Sequence, residues 1–301
     1  MLTVHNFQYG LLTPILAYLM SFLGAFLGLR CTARARAATG SARRGWLLVG
    51  AVSIGITGIW VMHFIAILGF AIPGETIHFN VLITLASMLL AVAFVSLGLL
   101  FVGFGNVNLR SLVLAGVVVG LGVAAMHYSG MAAIEAPMRM TYNPLLFGAS
   151  IVIAIIACTA ALWAALTLHT FWSTLGAAAV MGVAVSGMHY TGMAAMRAFP
   201  PSPGSTMNMS GPGGESFLLP LIIGVSILTF VLTATIALSP SDAEMAADAD
   251  LMRRIEDAQA QSRMLSGPPI SSAGRAPVAA ARPVTSFTRR SWRGRPPETP
   301  E

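Results

Sequence analysis

Seven long apolar runs alternate with short polar segments along this chain. They cover residues 11–29, 46–70, 81–103, 111–134, 145–168, 174–196 and 217–238. Each run has about the twenty residues that an α-helix needs to cross a hydrocarbon core of about 30 Å. Because backbone polar groups in lipid must pair within their own segment, the runs predict helices. The pattern therefore predicts an all-α membrane protein with seven transmembrane helices.

The arginines set the expected orientation of these helices. All 17 basic residues are arginine, and only Arg139 and Arg197 lie outside the first loop, the third loop and the segment after residue 252. Cytoplasmic segments carry the excess of basic residues, so we expect the N-terminus outside and the C-terminus in the cytoplasm. The expected location is the inner (plasma) membrane, with several passes through the lipid bilayer. The net charge of +6 follows from this asymmetry and does not indicate nucleic-acid binding.

The composition changes after residue 240. The apolar runs that make the chain 56% hydrophobic all precede it, whereas 241–265 is alanine-rich with mixed charge. From Gly267 onward Pro, Ser, Ala and Arg dominate, which predicts disorder. We expect a seven-helix membrane domain over 1–240. A cytoplasmic tail over 241–301 should form a short helix and then be largely disordered.

One short phrase recurs three times inside the apolar runs. It reads Met62-His63-Phe64, Met126-His127-Tyr128 and Met188-His189-Tyr190. A histidine in hydrocarbon is costly and rare, and it indicates a functional site. The three histidines lie about seven to nine residues before the outer ends of their runs. At 1.5 Å per residue, this places them roughly 10–13 Å below the outer surface.

The phrase belongs to a larger repeat of two helices. After each copy of the phrase, the next helix carries a serine at one common distance from the residue pair that precedes it: Asn80-Val81 with Ser87, Asn143-Pro144 with Ser150, and Leu219-Pro220 with Ser226. Helices 2–7 therefore form three two-helix repeats, in which even helices carry the histidines, and helix 1 stands alone. Repeats that all cross the membrane in one sense are related by an axis along its normal. We expect three hairpins around a pseudo-threefold axis, with the histidines forming a ring.

Histidine and methionine together predict a copper site. A neutral imidazole nitrogen binds metals, and a soft thioether beside it favours copper, especially Cu(I). Met131 and Met193 lie four residues after their histidines, on the same helix face. The candidate metal ligands are His63, His127, His189, Met62, Met126, Met188, Met131 and Met193. The first copy is degenerate, because Ile67 replaces the later methionine. Packing remains the alternative, since methionine fills cores and a buried histidine can bond a hydroxyl or carbonyl.

These residues resemble the MHYT domain, a bacterial integral-membrane sensory module. Met188-His189-Tyr190-Thr191 matches its signature, and Met126-His127-Tyr128-Ser129 differs by one conservative change. The resemblance covers roughly residues 8–240. It implies copper held by the methionine and histidine of the phrase, and sensing of oxygen, carbon monoxide, nitric oxide or redox state. Members are commonly joined to enzymes of cyclic-di-GMP metabolism, to kinases or to DNA-binding domains.

The tail shows no such output domain. We therefore expect a sensory protein that is not an enzyme and that signals to a cytoplasmic partner in trans. Two other functions stay open: a haem-binding membrane redox protein with two histidine ligands, and a metal transporter or channel. Retinal binding is excluded, because the chain has no lysine for the Schiff base.

Overall fold

The computed structural model describes residues 2–105, 107–168, 170–201, 211–238 and 242–265. Its helices are α1 (Leu12–Ala37), α2 (Gly40–Ile67), α3 (Val81–Phe104), α4 (Leu109–Ala132), α5 (Pro144–Thr167), α6 (Phe171–Ala195), α7 (Gly214–Leu238) and α8 (Asp242–Leu265). Four short strands are β1 (His78–Phe79), β2 (Ile134–Glu135), β3 (Arg139–Tyr142) and β4 (Met196–Phe199). The all-α membrane fold is confirmed.

Six helices, α1–α6, are long and apolar enough to cross a membrane. α7 is a helix of 25 residues and coincides with the seventh apolar run. That α7 also crosses the membrane, and that the N-terminus lies outside, stay predictions. Below, the end of the bundle predicted to face outside is called the outer end, and the opposite end the cytoplasmic end.

Polar residues at the start of four helices explain where those helices begin. Asn80, Asn143 and Thr170 each accept a hydrogen bond from a backbone N–H in the first turn of the following helix. Asn108 does the same in a reciprocal pair with Ser111. Such caps satisfy N–H groups that have no partner within the helix. The starts of α3–α6 are therefore set by local side-chain caps.

Helices α1–α6 form a closed ring in which each packs on the next. α1 closes the ring by packing against both α2 and α6, while α7 packs against α1, α2 and β1. Helix 1, which stands outside the three repeats in the sequence, thus belongs to the ring in space. In space, α1 takes the odd-helix position between α6 and α2, where the repeat in the sequence would have placed helix 7.

Glycine contacts explain why α1 fits that position. A Cβ atom built on Gly24 of α1 would lie 2.3 Å from the backbone nitrogen of Gly58 in α2. One turn further, a Cβ on Gly28 would lie 2.3 Å from the side chain of Ile54. The two backbones approach so closely only because side chains are missing there, as is common between membrane helices.

Three antiparallel pairings tie the helix ends together at the outer end. β1 pairs with β2, β3 pairs with β4, and His5 forms a bridge with Ala71. Next to these pairings, backbone hydrogen bonds run from Gln8 N to Gly69 O (2.9 Å), from Asn80 N to Ala133 O (2.8 Å) and from Asn143 N to Ala195 O (2.8 Å). Each acceptor lies six residues after a histidine of the phrase. The spatial units are therefore α1–α2, α3–α4 and α5–α6.

The chain divides into two compact units, Met1–Met245 and Ala246–Glu301. The first unit contains the helical ring, α7 and the four strands. In the second, the described residues belong to α8, which covers the stretch where a surface helix is predicted. The segment from Gly267 onward, for which disorder is predicted, lies outside the described residues.

Candidate metal centre

The histidines of the phrase lie closer to the outer helix ends than expected. His63, His127 and His189 precede the last residues of α2, α4 and α6 by four, five and six positions. At 1.5 Å per residue, this depth is roughly 6–9 Å instead of 10–13 Å. The helices end early because the chain turns into the outer strand pairings, which need partners from elsewhere in the chain.

The three histidine side chains meet at the centre of the bundle. His63 Nδ1 lies 3.0 Å from His189 Nδ1 and 3.1 Å from His127 Nδ1. Ring centroids are 4.8–5.1 Å apart, and each pair of planes is close to perpendicular, at 77–89°. All three side chains are at most 1% exposed. The sequence repeat thus becomes a propeller-like ring, here called the histidine ring.

The outward nitrogens of the histidine ring have no hydrogen-bond partner among the described residues. The Nε2 atoms of His63, His127 and His189 are buried without a hydrogen-bond partner. Gly130 and Gly192 lie against two of these atoms, since a Cβ on either would be 2.3 Å from Nε2 of His63 or His127. The glycine of the phrase therefore makes room for the imidazole of a neighbouring helix.

This arrangement fits a bound cation. A neutral imidazole carries one N–H, so inward nitrogens this close repel one another unless a proton or cation lies between them. Three nitrogens bound about 2.0 Å from one ion lie roughly 3.3–3.5 Å apart, close to the spacing in the ring. Among the described residues, this is the one cluster of histidine, cysteine or acidic side chains that could hold a metal, and it contains no carboxylate.

The five predicted methionine ligands are all buried in the same bundle. Their exposed fractions are 1% for Met62, 1% for Met126, 2% for Met188, 0% for Met131 and 3% for Met193. Burial suits both a packing role and a ligand role. Metal binding by these methionines, and by the histidines, stays a prediction at this point.

An aromatic residue follows each histidine and covers it edge-on. Phe64, Tyr128 and Tyr190 lie 4.8–5.0 Å from the adjacent imidazole, with interplanar angles of 81–89°. These contacts explain why the third position of the phrase is aromatic even in its degenerate first copy. The covering rings also keep the site apolar around its rim.

Buried serines of the odd helices bind the even helices. Ser150 Oγ lies 2.7 Å from the Tyr128 hydroxyl, and Trp60 Nε1 donates to Ser87 Oγ at 3.0 Å. Ser21 of α1 is also buried. The side chain of Ser226, the third predicted serine, lies outside the described residues. The sequence pointed to the serines through the repeat, but not to Trp60, which occurs in one copy only.

A π-helical stretch in α2 was not foreseen. It covers Ser53–Val61 and ends immediately before Met62. Such wide turns are rare and concentrate at functional sites. Apolar periodicity cannot reveal one, because this stretch is hydrophobic on every side; Gly55 and Gly58 were the only local hint of unusual packing.

A family profile described as "MHYT: Bacterial signalling protein N terminal repeat" matches the chain three times, at residues 57–116, 120–178 and 182–242. The chain belongs to the MHYT family. The first two matches run from one even helix through the following odd helix into the next even helix, and the third runs from α6 through α7. Three matches, each containing one odd helix, confirm the three two-helix repeats of the sequence. In space, the helices of this MHYT protein pair as α1–α2, α3–α4 and α5–α6, which is a shift by one helix relative to those repeats.

Similar proteins are bacterial signalling proteins. MucR of Pseudomonas aeruginosa, a bifunctional diguanylate cyclase/cyclic di-GMP phosphodiesterase, is 36% identical over 234 residues, which are 76% of this chain and 33% of MucR. The cyclic di-GMP phosphodiesterase NbdA of the same organism is 35% identical, over 64% of this chain and 25% of NbdA. The signaling protein YkoW of Bacillus subtilis is 33% identical, over 60% and 23%.

The MHYT chain thus spans a third or less of the length of these relatives. No solved structure matches it. Together with the apolar helices, the family match shows a multi-pass membrane protein of a signalling family, with a sensor domain in the membrane.

Proposed function

We propose that this MHYT protein binds copper in the histidine ring and senses oxygen, carbon monoxide, nitric oxide or redox state there. The observation that carries the proposal is the convergence of three buried Nδ1 atoms, with separations of 3.0 and 3.1 Å to His63. Their outward Nε2 atoms have no hydrogen-bond partner among the described residues, so the only polar contacts of these rings are the Nδ1 contacts with one another.

Charge and ligand type favour copper(I) over divalent ions. The ring consists of neutral side chains and brings no carboxylate. The cost of burying an ion rises with the square of its charge, so a neutral, buried site suits a monovalent cation. A thioether from the buried methionines would add the soft ligand that copper(I) prefers. When bound, copper supplies affinity for diatomic ligands and a one-electron redox change.

The geometry argues against the haem alternative. Two axial histidine nitrogens lie on opposite sides of the iron, roughly 4 Å apart at ordinary metal–nitrogen distances, with the porphyrin between them. In the histidine ring, the facing nitrogens are 3.0 and 3.1 Å apart, and a third imidazole fills the same space. A porphyrin would require the three even helices to separate.

A transport function has less support than sensing. On the cytoplasmic side of the ring, the central space is lined by apolar side chains that include Val123, Val185 and Leu99. No carboxylate or imidazole occurs among its described lining residues. A metal ion moving inward would exchange the three imidazoles for the few sulfur atoms of Met181, Met188 and Cys158, with no charged group to offset its charge in a low-dielectric medium.

We further propose that the protein lies in the inner membrane, has no catalytic activity of its own and acts on a cytoplasmic signalling partner. Two relatives carry names of cyclic-di-GMP enzymes, yet the region they share with this chain is the membrane repeat. The shared region therefore supports a sensory role and leaves the output to a partner.

Metal analysis of the purified protein tests the copper proposal. Wild type, His127→Ala and His189→Ala are purified from copper-supplied cells, and copper and zinc are measured per chain by mass spectrometry. His5→Ala is the matched control, since His5 is exposed and lies outside the ring. We expect copper in wild type and in His5→Ala, and its loss from both ring variants.

Equal copper content in all four proteins would overturn the proposal. Zinc that follows the same pattern in place of copper would contradict the choice of metal, and a haem absorption band lost with His127 would restore the haem alternative.

A further inference from the structure

A small apolar cavity lies directly beneath the histidine ring. Ile59, Val123 and Val185 line it, and each precedes its histidine by four residues, about one helical turn toward the cytoplasmic end. Met188, the neighbour of His189, lines it as well. The cavity is therefore coaxial with the ring and begins one turn below it.

All six helices of the ring contribute to its wall. Ala25 of α1, Val95 of α3 and Ala154 of α5 complete the set of odd helices, and Leu99 and Leu162 lie at its cytoplasmic end. Leu99 and Leu162 are 2% and 4% exposed. This is the position on the bundle axis where complete packing would be expected to leave no space.

Size and chemistry define what the cavity can hold. Its volume is about 50 Å³, and Ser21 and Cys158 bring the only hydroxyl or thiol among the described lining residues. A buried water needs two to four polar partners, whereas apolar cavities stay dry and take up apolar molecules such as xenon. The space is too small for a lipid chain or an aromatic ring.

We infer that this cavity is a docking site for apolar molecules of two or three heavy atoms, the class that includes oxygen, carbon monoxide and nitric oxide. Such gases dissolve readily in hydrocarbon, so the bilayer supplies them to the bundle. The inference rests on the proposed function for its link to sensing, because a molecule held there waits one helical turn from the histidines. The binding itself requires no metal.

Xenon is the probe that tests the cavity. Full-length protein, freed of metal by a chelator, carries ¹³C-methyl-labelled methionine, and its methyl spectrum is followed under increasing xenon pressure. Met188 and Met181 line the cavity, so their methyl resonances should shift with saturation. Assignment uses Met188→Leu and Met181→Leu.

Two matched variants on α5 locate the effect. Ala154→Val adds two methyl groups to the cavity wall and should abolish the xenon-dependent shift. Ala160→Val makes the same change on the exposed side of the helix and should leave the shift intact. A third variant, Leu162→Ala, enlarges the cavity and should increase the shift, which keeps the test decisive if Ala154→Val does not fold.

The outcomes separate this inference from the copper proposal. Xenon shifts that are absent in wild type, or equal in wild type and Ala154→Val, overturn the docking site whatever the metal content. If the xenon shifts are specific to the cavity but the copper content is the same with and without the ring histidines, the docking site is supported. Its proposed connection to a metal is then removed.

Discussion

At the scale of single residues, the glycine of one helix makes room for the histidine of a neighbouring helix. Gly130 of α4 seats His63 of α2, and Gly192 of α6 seats His127 of α4. The equivalent position in α2 is Ala66, so the three seats are not identical. The glycine of the phrase therefore serves the histidine of another copy, which a single copy read along the sequence does not show.

Gly130→Ala and Gly192→Ala should each destabilise the protein by about 1–3 kcal/mol, the usual cost of overpacking a core. The added Cβ would lie 2.3 Å from an imidazole nitrogen, so the ring must move. Thermal unfolding in detergent measures the change. Gly187→Ala is the matched control on α6, because its Cβ would meet nothing within 4 Å. A midpoint for Gly192→Ala that equals or exceeds that of Gly187→Ala would contradict the seating role.

At the scale of elements, the closure of the ring by α1 decides the architecture. The helix pairs that share outer strand pairings are α1–α2, α3–α4 and α5–α6, and α1 also packs on α6. Tyr18 of α1 reaches the carbonyl oxygen of Ala179 in α6 at 3.5 Å. The first and sixth helices lie this close because α1 closes the ring of helices.

A disulfide should therefore form between α1 and α6. A Cβ on Gly182 lies 3.4 Å from the backbone nitrogen of Phe22, close enough for Phe22→Cys and Gly182→Cys to be bridged. The background replaces Cys31 and Cys158 by alanine. Mild oxidant in membranes should give a reducible mobility shift on gels. Phe22→Cys with Gly187→Cys is the control, since Gly187 faces away from the other helices. Cross-linking of both pairs to the same extent would argue against the closure of the helix ring by α1.

The sequence predicted those features of the helices that depend on neighbouring residues, and it missed those that depend on distant ones. Apolar runs are local signals, so the positions of the helices and the common level of the histidines followed from them. The placement of α1 did not, because it depends on Gly24 meeting Gly58. The outer helix ends were also missed, since Asn80 and Asn143 bond carbonyls far along the chain. Likewise, the role of Gly130 depends on an imidazole from α2.

At the scale of the whole molecule, arginine distribution and bundle geometry agree on one polarity. The α1–α2 connection, with Arg34, Arg36, Arg43 and Arg44, lies at the end opposite the strand pairings. Few basic residues accompany the strands, and the histidine ring lies near them. The charge rule therefore predicts that the histidine ring faces the outside of the cell.

Single-cysteine labelling checks this orientation. Glu75→Cys lies among the outer connections and Thr39→Cys between α1 and α2; both positions are exposed. In spheroplasts of the cysteine-free background, a membrane-impermeant maleimide should label Glu75→Cys at once and Thr39→Cys only after lysis. The reverse pattern would invert the topology and place the histidine ring on the cytoplasmic side.

The position of α7 outside the ring of helices has a consequence for the enclosure. Because α1 completes it, the enclosure of the histidines does not depend on α7. Ile56 and Trp60, both in the π-helical stretch of α2, face Phe217 and Leu221 of α7 across a shared apolar cleft. That stretch ends two residues before His63, so the contacts with α7 and the first histidine of the ring lie on one continuous segment of α2. The seventh helix therefore touches the enclosure from outside, on the helix that carries this histidine.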